Sequence, residues 1–383
     1  MRIALLSWES MHSIAVGGVA PHITELAAAL DRIGHEVHVF TRTGQGQRHH
    51  EIVDGVQYHR CPFDFDSNFI TEMNNMCHSF AYHLSKAEDR SGTFDIVHGH
   101  DWMTVNALAE IRNARQKKTV FTLHSTEYGR CGNVFHEGQS RDIRNLECYG
   151  GFVADRIITT SETIKNEAKW IYQFPDEKLA LIPNGISIRK FLCPLDPWSV
   201  KVVHNLDIHD PISLFVGRMV AQKGPDLLLE AVPHVLTEFP AAQFLFVGDG
   251  TMRRGLEHRA WQLGIQHACR FLGYVQEPDL LSFYNACDMV SIPSRNEPFG
   301  IVALEAWAAG KPIVVTHNGF DFVQHDINGL KVYDNPDSIA WGLKRILADP
   351  IRARWMGTNG QKTAESFSWD TIARKTADLY EDI

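Results

Sequence analysis

Apolar residues along the chain fall into two spacings. Short, almost unbroken apolar runs read as buried strands, and longer stretches with apolar positions three and four apart read as helices. Strand-like runs occur at Arg2–Trp8, Glu36–Thr41, Ile96–Val97, Val120–His124, Arg156–Thr160 and Ala180–Pro183. A second series follows at Ile212–Val216, Gln243–Val247, Arg270–Tyr274 and Asp288–Pro293. Helical spacing separates them at Pro21–Leu30, Asn74–Lys86 and Asp226–Val235, and in an Ala-rich stretch that Gly310 and Pro312 stop. Steady alternation of strand and helix predicts an α/β fold with parallel sheets. The loops after the strands then share one sheet edge, where ligands bind in open folds of this kind. Pro183–Pro197, with Pro194 and Pro197 inside it, reads as a connection between domains.

The loop and helix after the Asp288–Pro293 run carry the sharpest signal. Glu297 lies before the helix and Glu305 inside it, at most roughly 12 Å apart at helical rise. Between them, the backbone N–H groups near Gly300 and Ile301 open a helix, a natural anion site. Two carboxylates flanking an anion site match a ligand with hydroxyls at both ends and a diphosphate in the middle. On its own the stretch also fits a helix with a Glu in its first turn. A second loop strengthens the first reading: Arg218 and Lys223, among Gly217 and Gly224, follow the Ile212–Val216 strand. Arg can fork onto two phosphate oxygens and Lys adds a point charge. Tyr274, at the exit of another strand, is placed to face a base.

The first half repeats the logic with different chemistry. Gly17-Gly18 after the first strand permits close approach of a phosphate, although the pair is not G-x-G-x-x-G and also fits a plain turn. His98-Gly99-His100-Asp101 leaves a strand with both histidines on one side. No third ligand stands at metal spacing, so His100 reads as a hydrogen-bond donor to substrate, with a satisfied turn histidine as the alternative. His124, Glu127, Tyr128 and Ser161 follow strands at the same edge and are the acceptor-side candidates. Asp64-Phe65-Asp66 has a metal-binding form but sits among loop residues. Arg112, Arg115, Lys117 and Lys118 form a small basic run, suited to a solvated helix end or to an anionic surface.

Composition narrows the class. With 383 residues, 44% apolar and 22% charged, the chain is an ordinary globular protein of about two domains. A net charge of −9 without a long basic block argues against nucleic acid as main partner. Seven cysteines, an odd number with no C-x-x-C, fit a reducing compartment. No segment has the length of a membrane span or the form of a leader, so a soluble cytoplasmic protein is expected, with peripheral membrane contact left open.

These residues together resemble the retaining glycosyltransferases of family 4. The likeness rests on Gly17-Gly18-Val19 with His22, His100-Asp101, Gly217-Arg218 with Lys223-Gly224, and Glu297-x7-Glu305 within Glu297-Pro298-Phe299-Gly300. Phe367-Ser368-Trp369-Asp370 before a last helix is also similar to that family. The resemblance implies the GT-B fold, two Rossmann-like doubly wound domains facing a central cleft. Residues 1–187 would form the acceptor domain, completed by the helix of residues 369–383, and residues 188–368 the donor domain. It implies that Glu305 holds the ribose and Glu297 the transferred sugar. Arg218, Lys223, Gly18 and the amides near Ile301 would take the diphosphate, with Gly17, Tyr274, Phe299 and Gly300 completing donor binding, and His100 would contact the sugar. The Thr122-x-His124-x-x-Glu127-Tyr128-Gly129-Arg130 loop is similar to members related to glycogen and starch synthases, which favours a glucosyl donor. Their Lys-x-Gly-Gly signature is absent, since Ala15-Val16 precede Gly17-Gly18.

The expectation is a metal-independent hexosyltransferase that uses a nucleoside diphosphate sugar and a hydroxyl acceptor such as a glycan, lipid or small metabolite. No cofactor is expected. A sugar-nucleotide epimerase of the same fold and a non-catalytic sugar-nucleotide binder stay open. The base, the sugar, the acceptor and the oligomeric state are not legible at this level.

Overall fold

The computed structural model describes residues 1–192, 197–204 and 206–383. Of the expected connection, Cys193–Asp196 therefore lies outside the described residues. The chain divides into two compact units, Met1–Gly185 with Trp369–Ile383, and Ile186–Ser368.

Unit 1 is an eight-stranded sheet of β1 (Arg2–Leu6), β2 (Glu36–Arg42), β3 (His50–Val53), β4 (Val56–Cys61), β5 (Ile96–His100), β6 (Lys118–Leu123), β7 (Arg156–Thr159) and β8 (Leu179–Leu181). The order is β3-β4-β2-β1-β5-β6-β7-β8, parallel except for the β3–β4 hairpin. Periodicity did not reveal that hairpin, because His50–Ile52 is exposed on both faces. Its turn, Asp54-Gly55 with φ of 50° and 84°, carries the usual signal of a two-residue hairpin. Helices α1 (Val19–Arg32), α2 (Phe69–Ser91), α3 (Val105–Arg115), α4 (Glu127–Arg130), α5 (Gln139–Val153) and α6 (Glu162–Tyr172) connect the strands. α2 is longer than the Asn74–Lys86 expected, since Asn68 caps it by accepting from the N–H groups of Ile70 and Thr71.

Unit 2 begins with α7 (Ile188–Phe191) and α8 (Pro197–Val203) and continues as a parallel sheet. Its strands are β9 (Ile212–Val216), β10 (Gln243–Val247), β11 (Cys269–Gly273), β12 (Met289–Ile292), β13 (Ile313–Thr316) and β14 (Leu330–Val332), in the order β11-β10-β9-β12-β13-β14. α9 (Pro225–Leu236), α10 (Arg253–Gln262), α11 (Glu277–Ala286), α12 (Ile301–Ala308), α13 (Pro336–Ala348) and α14 (Pro350–Glu365) flank it. α15 (Trp369–Glu381) belongs to unit 1, where it lies beside α1. Each sheet buries both faces against helices, which is why its strands read as continuous apolar runs and not as alternation. In unit 1 the core on one face carries Phe80, Leu108 and Ile143, and the other carries Leu26, Ile372 and Tyr380.

Each sheet has one point where its strand order turns back. In unit 1 it is β1–β5, paired through Leu6 and Gly99; in unit 2 it is β9–β12, paired through Leu214 and Val290. Loops leaving two neighbouring strands at such a point diverge to opposite faces and open a crevice.

Candidate active site

The loops after β9 and β12 meet in unit 2. Gly224, at φ +66°, lets them do so: a Cβ there would lie 2.0 Å from the carbonyl oxygen of Pro293. Behind them the loop after β10 supports the first, with Met219 N donating to the Asp249 carbonyl at 2.8 Å. A Cβ on Gly248 would be 2.1 Å from the Gly217 carbonyl oxygen.

This contact brings Lys223 onto Glu297. The Lys223 Nζ donates to both carboxylate oxygens at 2.8 Å, and Ser294 Oγ donates to Oε2 at 2.8 Å. An ammonium has three donors, so one stays free for a further acceptor. Arg218 is exposed and, among the described residues, makes only a 3.4 Å contact to Gln222. Arg295 is spent on structure, forking onto Asp226 at 2.9 and 2.6 Å.

Glu305 lies one helix further on. Tyr284 Oη donates to its Oε2 at 2.6 Å, and burial raises the carboxyl pKa against that hydrogen bond. Side chains cap several helices, Asn68 on α2, Asn335 on α13 and Asp349 on α14, while α3, α5, α10 and α11 start without one. α1, α9 and α12 also start without one, at Gly18, Gly224 and Gly300, and the first-turn N–H groups of α12 ahead of Ala303, which bonds to the Gly300 carbonyl, are suited to an anion. Gly300 adopts φ +94°, and a Cβ there would strike the Phe320 ring at 2.5 Å.

In unit 1 the loop after β1 is held by Glu9. Its buried Oε2 accepts from Val16 N at 2.6 Å and Gly17 N at 2.7 Å. Burial raises its pKa while those two N–H groups oppose the rise. His100 ends β5, and the following Asp101 takes φ 59° to turn the chain. Asp101 Oδ1 accepts from His124 N at 3.0 Å, and burial lifts its pKa to about 6 despite Arg130 and the N–H groups of His124 and Ser125.

Beside them stand three more imidazoles. His98 is satisfied: its nitrogens lie 2.6 Å from Tyr380 Oη and 2.7 Å from Thr122 Oγ1. His22 Nδ1 lies 2.8 Å from Asn184 Oδ1, and His100 Nδ1 lies 3.1 Å from His124 Nε2. Burial holds His22, His98 and His100 well below the ordinary imidazole pKa and His124 down to about 3, so these rings are neutral. The two further imidazoles near His100, which spacing alone did not supply, are His22 from α1 and His124 from the end of β6.

Several expectations change. Phe299 is buried in the core among Phe322 and Phe367, so its side chain packs and does not face a donor. Glu127 is turned inward: Arg130 Nε donates to its Oε2 at 3.0 Å and Cys131 Sγ contacts Oε1 at 3.4 Å. Ser161 caps α6, accepting from Ile164 N at 3.2 Å. Tyr128 instead joins the exposed rings of Phe135 and Trp170, with centroids 4.8 and 5.3 Å away. Tyr274 is 77% exposed at the end of β11. Asp64 and Asp66 are tied to α2: Asn75 Nδ2 donates to the Asp64 carbonyl at 3.0 Å, and Asp66 accepts from Asn68 N at 2.7 Å. Of the basic run, Arg112, Arg115 and Lys117 pair with Asp155, Asp89 and Glu88. Among the described residues no helix is long and apolar enough to cross a membrane, and the six described cysteines are free.

Glu9, Ser294, Tyr284 and Asn184 escaped sequence reading. Glu9 and Ser294 sit at strand exits, a signal that was available. Tyr284 and Asn184 reach partners 21 and 162 positions away, with no local mark.

Comparison with known proteins follows the same division. Residues 16–190 match the family described as Glycosyltransferase Family 4, and residues 198–363 match that described as Glycosyl transferases group 1. An uncharacterized glycosyltransferase of Methanocaldococcus jannaschii is 37% identical over 100% of this chain and 98% of its own. A glycogen synthase of Mycobacterium tuberculosis is 28% identical over 99% of this chain and 94% of its own. Among solved structures, a sucrose-phosphate synthase from Thermosynechococcus elongatus superposes with a TM-score of 0.84 at 25% identity, over 100% of this chain and 98% of that one.

Proposed function

We propose, from the premise that this chain belongs to the group 1 and family 4 glycosyltransferases, that it moves a hexosyl group, glucosyl in first place, from a nucleoside diphosphate sugar to a hydroxyl. The anomeric configuration is kept and no catalytic metal is needed. The observation that carries this reading is the Lys223–Glu297–Ser294 cluster beside the glycine-capped start of α12. The costly event is departure of the diphosphate, and preorganised positive groups lower it most. Lys223 offers its third donor, Arg218 an exposed guanidinium, and α12 its first-turn N–H groups.

Glu297 is held by Lys223 and Ser294, so it suits hydroxyl recognition better than attack on carbon. That supports same-face displacement, in which the leaving phosphate takes the acceptor's proton, over a glycosidase-like covalent step. Glu305 takes the ribose hydroxyls and His100 the transferred sugar. Unit 2 serves the donor and unit 1 the acceptor. The glycogen synthase and sucrose-phosphate synthase likenesses favour glucosyl.

The test is nucleotide release from a panel of UDP-, GDP- and ADP-sugars in EDTA, comparing the wild type with Glu297→Ala. Release from one donor, lost in the variant, is expected. A new sugar nucleotide formed from donor alone would point to an epimerase, and donor bound without release or transfer to any acceptor would point to a binder.

A further inference from the structure

One cluster of unit 1 holds more lone pairs than partners. His22 on α1, His100 at the end of β5 and His124 after β6 each place a nitrogen within 4.8 Å of the others. Asn184 presents an oxygen to His22 Nδ1, and an amide oxygen only accepts, so Nδ1 carries the proton and Nε2 keeps a bare lone pair. That Nε2 is buried without a partner among the described residues. Buried polar atoms without partners are rare and call for an explanation.

The spacing is that of a ligand set. Nitrogens about 2.0–2.1 Å from a tetrahedral zinc lie about 3.3 Å from one another, and His100 Nδ1 is 3.1 Å from His124 Nε2, a hydrogen bond whose proton moves to the far nitrogen of its own ring when both atoms bind a cation. Small ring rotations, which are soft for imidazole, bring in the third. Asn184 acts on His22 as an outer-shell partner acts on a metal-bound histidine, fixing tautomer and orientation. His98 cannot join, because both its nitrogens are bonded, and Asp101 Oδ1 is held by His124 N.

We propose that His22, His100 and His124 bind one borderline divalent cation, Zn2+ in first place, through three imidazole nitrogens with the fourth position open. An all-imidazole set selects Zn2+, Co2+, Ni2+ or Cu2+ over Mg2+ and Ca2+, which take oxygen ligands. The cation does not drive turnover. It withdraws His100 from the transferred sugar and so inhibits, a consequence that rests on the role given to His100 above.

The test is titration of EDTA-stripped full-length protein with Co2+. One equivalent should develop the intense visible absorption of tetrahedral cobalt, and Zn2+ should displace it. His22→Gln and His124→Gln should each abolish it, while His258→Gln on the exposed face of α10 keeps it. If thermal unfolding shows that the first two variants do not fold, X-ray absorption of the zinc-loaded wild type decides, with three imidazoles expected. No stoichiometric uptake, uptake unchanged in both variants, or fewer than three imidazoles overturns the site. Zn2+ should also lower nucleotide release at least tenfold, with EDTA restoring it. Zinc bound by the three histidines with release unchanged would overturn the place of His100 at the sugar and leave the cation site standing. Absence of release from every donor in EDTA would count against the transferase reading alone.

Discussion

At the scale of single residues, the two cations of the donor loop separate. Arg218 is exposed with one long contact, so Arg218→Ala should leave the melting temperature within about 1–2 °C of wild type. If Arg218 stabilises the leaving diphosphate, the same change lowers kcat about a hundredfold. Lys223→Ala behaves differently, because Glu297 is left buried with only Ser294 for a partner. It should cost about 2 kcal/mol of stability as well as turnover, measured by chemical unfolding beside the assay. Spacing in the chain treats both cations as phosphate ligands of one kind; the ion pair that distinguishes them spans 74 positions. Tyr284→Phe removes the hydroxyl that Glu305 holds, and kcat/KM should fall about tenfold, chiefly through a higher KM for the donor. A change confined to kcat would place Glu305 away from the nucleotide.

At the scale of elements, the site depends on loops that approach more closely than side chains allow. Gly224→Ala puts a methyl group 2.0 Å from the Pro293 carbonyl oxygen at a left-handed φ, so one of the two loops must move. Nucleotide release should be abolished and stability should drop by about 2–4 kcal/mol. Gly255→Ala, in the first turn of α10 with open space around it, serves as the control and should be neutral or slightly stabilising. Wild-type release by Gly224→Ala would show that the two loops need not touch. Strand and helix existence was legible because both sheets are buried on both faces, which writes each strand as an apolar run. Boundaries were less legible where a cap decided them, as Asn68 does for α2. The β3–β4 hairpin was invisible to periodicity because its outer strand has no buried face.

At the scale of the whole molecule, unit 1 stores neutral histidines. His59 is held down to about 3 by burial and by His38, His50, His83 and Arg2, and His124 to about 3 by burial, with His22, His98 and His100 also well below the ordinary value. The unfolded chain, with histidines near 6.5, binds more protons than the folded one as soon as pH falls below that value. Stability is therefore complete above about pH 6.5 and is lost as pH falls toward 3, by up to about 1.4 kcal/mol per pH unit for each such histidine. Asp101, raised to about 6, works in the opposite sense between roughly pH 6 and 4, and Glu9 and Glu147, also raised by burial, share that sense, but the depressed histidines outnumber them. Hydrogen exchange between pH 8 and 5, corrected for the intrinsic rate, should show unit 1 losing stability first, with the amides of β1, β5 and β6 losing protection ahead of those of β9, β10 and β12 in unit 2. A flat profile over that range would mean that the cluster takes up protons without unfolding.

The sequence by itself determined the alternation of strands and helices, the family, and the loops that carry Gly17, His100, Arg218, Lys223, Glu297 and Glu305. Each of these is written locally: burial on both faces sets the apolar runs, and chemistry at a strand exit needs only the residues next to it. Tertiary structure alone decided which of those residues meet. It tied Lys223 to Glu297, turned Glu127 inward and Phe299 into the core, gave Glu305 its Tyr284, and gathered His22, His100 and His124 with Asn184 behind them. Such pairs are joined by parallel pairing and crossover connections, which bring strand ends from distant parts of the chain to one edge, and sequence spacing carries no record of that proximity.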